Sequence, residues 1–320
     1  MEDSLKRVEL DEAFFPVRRV RIQREDNKQS IKRHLAVVDD GGNIFSVVTD
    51  KYRLVTNQKA CELGREAFSH IFGAEARAGL WPFKVLMPRT RSWAQIDFTA
   101  ECLAFESCRG DRWFPFLCVV NSYNRTMSLQ FTVGACRGVC ANGMIFDEQS
   151  LKFQTTHNEA VDLDRMVGQA LSSGQVRFNF AMIQSQLAQL ADLHVPAEHF
   201  VAGSLEILDL KVPENLPETP LQAGGWCQLG PHLQELGKRY SVELGDNAYA
   251  LLNATSDYAG HARAPRMSPA LVNSFQSRCG RWAVKMADQS SAQPTASVTI
   301  AAANLVAAER LMAFAGQAKP

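Results

Sequence analysis

The chain has 320 residues, 46% of them hydrophobic and 21% charged, with 34 basic and 34 acidic side chains. That is enough apolar chain for a sizeable core or two ordinary domains, and it excludes a largely disordered polypeptide. A net charge of zero excludes attraction of a polyanion by the molecule as a whole, so any such contact must come from a local patch.

The opening MEDSLKRVELDEAFF is charged throughout, unlike a secretory leader, and no apolar run approaches the roughly 18 residues of a membrane span. A cytoplasmic setting is expected, with no membrane partner. VRRVRIQ (17–23) mixes apolar and basic residues at the period of a half-exposed strand. HLAVVDDGGNIFSVVTD (34–50) reads as a hairpin whose turn is Asp39-Asp40-Gly41-Gly42. NQKACELGREAFSHIF (57–72) reads as a helix capped by Thr56 or Asn57, with Ala60, Leu63, Ala67, Phe68 and Ile71 as its apolar stripe. Strands follow Trp81-Pro82, over about 93–105, 114–121 and 127–140.

Beyond residue 155 the periodicity turns helical, over about 158–172, 179–193, 197–210, 230–243, 246–258, 268–286 and 297–315. The Pro- and Gly-rich VPENLPETPLQAGG (212–225) interrupts that series. Strands first and helices later predict an α+β fold: a β-rich domain with antiparallel hairpins and one helix over 1–155, and a mainly helical region packing on it over 156–320.

The stretch GACRGVCANGMIF (134–146) sets Cys136 and Cys140 four apart. Structural zinc usually takes four ligands in closely spaced pairs; Cys102 and Cys108 could in principle supply the second pair, but neither spacing is typical. A buried strand ending at an Asn142-Gly143 turn explains the stretch better, so no metal and no cofactor is expected. The eight cysteines read as reduced thiols, mostly buried. No P-loop, no G-x-G-x-x-G after a strand, no G-x-S-x-G elbow and no HExxH is present, and His194 and His199 cannot share one helical face. No catalytic residue is assigned.

Two constellations remain. Between residues 16 and 34 lie Arg18, Arg19, Arg21, Arg24, Lys28, Lys32 and Arg33 against only Glu25 and Asp26, with Lys51, Tyr52 and Arg53 shortly after. If 17–24 and 31–38 pair, several of these charges share a ribbon suited to phosphates, with Tyr52 stacking on bases. A solvated hairpin kept soluble by charge is the plainer alternative. The second constellation is NAYALLNATSDYAGHARAPR (247–266), where Tyr249, Asn253 and Asp257 recur every four residues and His261 lies one turn on. That spacing suits a buried hydrogen-bond network holding helices in register, with a polar pocket at Asn253, Asp257 and His261 as the alternative.

AVVDDGGNIFSVVTDKYRLVTNQKACE, SLQFTVGACRGVCANGMIF and YALLNATSDYAGH, in that order and spacing, resemble domain-of-unknown-function family 932 of phage/plasmid-like proteins, over roughly residues 17 to 285. The family offers no catalytic residues to carry over, and this chain holds more cysteine at Cys136 and Cys140 than the family pattern leads one to expect. The resemblance implies a setting on bacterial mobile elements, near genes for single-strand binding, recombination or anti-restriction. The residues and the resemblance together lead to a non-enzymatic protein that binds nucleic acid, single-stranded DNA above all. Arg18, Arg19, Arg21, Lys32, Arg33, Lys51 and Arg53 would sit on phosphates. An anti-defence or regulatory module binding a host defence or recombination protein, and an enzyme acting on nucleotides, stay open, as does a homo-oligomer.

Overall fold

A computed structural model describes residues 5–107, 110–138, 142–145, 152–155, 180–216, 225–260, 269–292 and 297–317. The expected helix over 158–172, as well as Cys108, Cys140 and His261, lies outside them. Strands occupy the N-terminal half and helices the C-terminal half, so the α+β expectation holds. The chain forms two compact units that are interleaved in sequence. Unit 1 comprises 1–104, 114–134 and 148–178, and unit 2 comprises 105–113, 135–147 and 179–320.

Unit 1 contains two antiparallel sheets. In the smaller, β2 (Val17–Gln23), β3 (Ser30–Asp39) and β4 (Ile44–Thr49) pair in that order. The β3–β4 turn falls where Asp39-Asp40-Gly41-Gly42 predicts it. Asp39 accepts hydrogen bonds from the backbone and side-chain nitrogens of Asn43, at 2.8 and 2.9 Å, and Gly42 takes the left-handed conformation at φ 80°. Those bonds, Asn43's amide first, hold the Asp39 carboxyl below its ordinary pKa.

The larger sheet runs β1 (Leu5–Arg7), β5 (Leu80–Pro88), β6 (Trp93–Ala100), β8 (Arg112–Ser122), β9 (Leu129–Arg137), with β11 (Lys152–Thr155) also on β9. A short α1 (Leu10–Ala13) leads from β1 into β2, and β5 and α1 carried no clear sequence signal. One face of the sheet offers Ile96, Phe98, Leu117, Val119, Phe131 and Val133 to α2 (Asn57–Phe72). The helix answers with the expected stripe, Ala60, Leu63, Ala67 and Phe68 fully buried and Ile71 at its border. Thr56 is its cap, its side chain accepting from the Lys59 amide. The brief α3 (Ala74–Ala78) follows.

Unit 2 takes the ends of β8 and β9. There β7 (Phe105–Glu106) pairs with Arg112 and Trp113, and β10 (Asn142–Met144) pairs with Ala135 to Arg137. Asn142 stands opposite Arg137, so Asn142-Gly143 opens the returning strand and does not form the turn that its composition predicts. Register, set by which residues reach the core, outweighs the local turn preference. The helices are α4 (Phe180–Asp192), α5 (Phe200–Ile207), α6 (Trp226–Leu244), α7 (Ala248–Gly260), α8 (Pro269–Ala292) and α9 (Ala302–Gln317). All but one residue of α7 is buried, and it packs against α4, α5, α6 and α8. No described helix is long and apolar enough to cross a membrane.

Candidate functional site

The basic ribbon of unit 1 forms as the sequence predicts, but its charges divide between faces. Side chains directly opposite one another in a sheet share a face, and neighbours along a strand do not. Arg19 is opposite Val37 and Arg21 is opposite Leu35, on the face that packs the cluster of Phe15, Val37, Val48, Tyr52, Met87 and Tyr123. Arg18 is opposite Val38, on the other face. Arg19 donates to the carbonyl oxygen of Asp50, 3.3 Å away, and to that of Tyr52, which ties β2 to the segment after β4. Lys32, Arg33 and Lys51 are exposed and Arg53 is half-buried.

Tyr52 does not present a face to bases. It is 7% exposed, inside the aromatic and aliphatic cluster. Burial, opposed by the charges of Arg125 and Arg19, pushes its phenol up to about 12. An aromatic residue between two basic ones suits stacking equally well as a core anchor, and the tertiary fold uses Tyr52 as the anchor.

Two further arginines belong to this region, and reading the sequence missed both. Arg125, in the loop between β8 and β9, lies near enough for its charge to act on Tyr52. The Arg91 guanidinium, in the β5–β6 turn (Pro88 to Trp93), stands 3.6 Å over the Phe15 ring. Both have positive φ, 64° and 56°. Among the described residues only five non-glycine positions do, and four of them are basic: Lys28 (54°), Arg33 (63°), Arg91 and Arg125. Left-handed backbone disfavours a long side chain by roughly 1–2 kcal/mol, so turns usually place Gly, Asn or Asp there. A basic residue in a short loop such as PRTRSW or YNRTMS is the only sequence signal, and it does not reveal φ.

The second constellation lies within unit 2. The Tyr249 hydroxyl donates to Asp111 Oδ2 at 2.8 Å and accepts from Trp113 Nε1 at 2.9 Å. Its one hydrogen being spent on Asp111, the Ser107 hydroxyl 3.0 Å away is the donor to it. Asp111 also accepts a two-pronged bond from Arg137, Nε to Oδ2 at 2.9 Å and Nη2 to Oδ1 at 2.8 Å, and Glu243 takes a second bond from Nη2. The Arg137 side chain is 1% exposed, while Glu243 is 40% exposed. Burial alone lowers an arginine's pKa, but the bonds and charges of Asp111 and Glu243 overcome it and raise that of Arg137.

One turn and two turns along α7, Asn253 donates to the Tyr249 carbonyl at 2.8 Å and Asp257 accepts from Tyr240 at 3.0 Å and from Arg239. Of the network that the four-residue spacing predicts, Tyr249 and Asp257 make bonds to other elements of unit 2, while the bond of Asn253 stays within its own helix. Arg137, a lone charge in the apolar run FTVGACRGVC, is the buried centre of the network. Cys136 beside it is buried in β9.

No curated protein and no solved structure matches this chain. A family model described as a domain of unknown function matches residues 44–293. The match takes in Arg91, Arg125, Arg137 and α7, and begins after Arg18 to Arg33. Covering more than three quarters of the 320 residues, it establishes that the chain belongs to the domain-of-unknown-function family DUF932.

Proposed function

We propose that the protein binds nucleic acid through phosphates, using the basic residues of unit 1. The observation that carries this reading is backbone conformation. Lys28, Arg33, Arg91 and Arg125 all occupy left-handed positions where glycine would be cheaper. Strained backbone clusters at active sites, ligand clamps and switch regions, where the surrounding structure holds it. Arg19, Arg91 and Arg125, distant in sequence, also gather around the Phe15, Tyr52 and Tyr123 cluster. A chain of zero net charge needs such a local concentration to attract a polyanion.

The test separates function from stability. Arg33→Gly and Arg125→Gly relieve the left-handed strain, so both variants should melt at the same temperature as the parent or above it. Fluorescence anisotropy with labelled DNA at about 50 and 200 mM salt should show weaker binding and a salt slope lower by roughly 0.7–0.9 for each phosphate that is no longer neutralised. Parent-like affinity and slope in both variants would overturn the reading.

A further inference from the structure

The last rung between β3 and β4 joins His34 to Thr49, closed by a bond from the Asp50 amide to the Arg33 carbonyl. Beyond it only β2 and β3 continue, paired at Gln23 and Ser30 and turned by the Arg24–Gln29 segment. Every residue from Arg21 to Arg33 except Ile22 is exposed. These thirteen residues, RIQREDNKQSIKR, make up a two-stranded arm and its root: Arg21 lies opposite Leu35 within the three-stranded region, and beyond it the register shifts, setting Ile31 to His34 against Ile22 alone. They carry five basic and two acidic side chains and no aromatic ring. At about 3.3 Å per residue, β2 and the turn carry the arm roughly 10 Å past the three-stranded region.

We propose that this arm enters the major groove of B-form duplex DNA. The inference rests on the nucleic-acid reading above and narrows it. A groove about 12 Å wide and 8.5 Å deep admits a two-stranded ribbon of this reach, whereas the minor groove, about 6 Å wide, does not. Single strands are held by stacking on exposed rings, and the arm has none. The major groove of A-form RNA is too deep and narrow for side chains to read.

Chemistry at the tip agrees with that choice. Asp26 lies 3.6 Å from Arg24 and accepts the Asn27 amide at 2.8 Å, and Asn27 in turn accepts from the Gln29 amide at 3.0 Å. The carboxylates of Glu25 and Asp26 would be repelled by the acceptor-lined minor groove. In the major groove the cytosine N4 amino group is a donor that a carboxylate can meet. Arg21, Lys28, Lys32 and Arg33 flank the tip where the phosphates of the groove walls would run.

The experiment compares duplex DNA, double-stranded RNA and single-stranded DNA of one sequence by anisotropy, and maps duplex contacts by interference from guanine N7 methylation. Two variants accompany the parent: one replaces Glu25 to Lys28 by Asn-Gly, and the other, R24A/K28G/K32A, keeps the turn length in case the first fails to fold. The parent should bind duplex DNA at least tenfold tighter than either alternative, with interference at N7. Both variants should lose that preference while melting as the parent does. Equal affinity for the three ligands, a preference that survives both variants, or no N7 interference would overturn the groove assignment and leave phosphate binding standing. Absence of binding to all three would overturn both readings.

Discussion

Arg137 shows how much one side chain commits a fold to. Its guanidinium is out of water, and what makes that tolerable is the two-pronged bond to Asp111 and the further bond to Glu243. Removing the partner of a buried charge costs about 3–5 kcal/mol, because the charge stays behind, whereas replacing the charge itself by an apolar chain costs less. Asp111→Ala should therefore lower the urea midpoint more than Arg137→Met does, although the arginine is the more buried of the two. In the second variant Asp111 keeps the Tyr249 hydroxyl as a donor and Glu243 keeps contact with water. A larger loss for Arg137→Met would mean that packing, not charge, governs the site. Asp111 looks like an ordinary loop acid in SCRGDRWFP, and nothing local in the sequence says that it meets a strand residue 26 positions on. Tyr249, Asn253 and Asp257 were legible because a helix brings every fourth residue onto one side.

At the scale of elements, the packing of unit 2 depends on close approach. A Cβ on Gly203 of α5 would lie 2.6 Å from Leu251 Cδ2 of α7 and 3.2 Å from Ile300 Cδ1. Leu251 is wholly buried. Gly203→Ala should thus destabilise by about 1–3 kcal/mol. Gly225, ahead of α6, has nothing within 4 Å of the same atom, and Gly225→Ala should leave the midpoint unchanged or slightly raised. Thermal melts of the two variants, side by side, read the difference between them. α2 is the opposite case, an element predicted down to its cap. Its stripe and its Thr56 cap are local, and the further demand of the sheet falls on Gly64, where a Cβ would lie 2.9 Å from Val119 Cγ2. The α9 segment is joined to α5 by Glu206, which accepts from the Ala301 amide at 2.9 Å and from Asn304 at 3.1 Å. No periodicity of α9 points to that partner.

For the whole molecule, buried acids of the weak kind set the alkaline limit. Burial pushes the Cys61 and Cys279 thiols from an ordinary 9.0 up to about 12, and the Tyr52 phenol from 10.0 to about 12. Below pH 9 these groups are protonated whether the chain is folded or not, and their contribution is intact. Above pH 9 the unfolded thiols lose protons that the folded ones retain, so stability falls as pH rises. Each thiol removes about 1.4 kcal/mol per pH unit until about pH 12, with Tyr52 joining above pH 10. The urea midpoint should hold steady to about pH 8.5 and then drop steeply, and Cys279→Ala should make that drop shallower; a flat profile to about pH 11 would contradict the burial of these groups. What the sequence by itself determined was local: strands in the first half and helices in the second, the hairpin turn at Asp39 to Gly42, the stripe and cap of α2, and the four-residue rhythm of α7. Each follows from a period or a cap that neighbouring residues supply without help. Only the tertiary structure decided that Tyr52 is buried, that Arg18 faces away from Arg19, that Arg91 and Arg125 join the ribbon, and that Asp111 answers Arg137. Those outcomes depend on which face of a strand meets the core and on residues far apart in the chain, and local pattern carries no record of either.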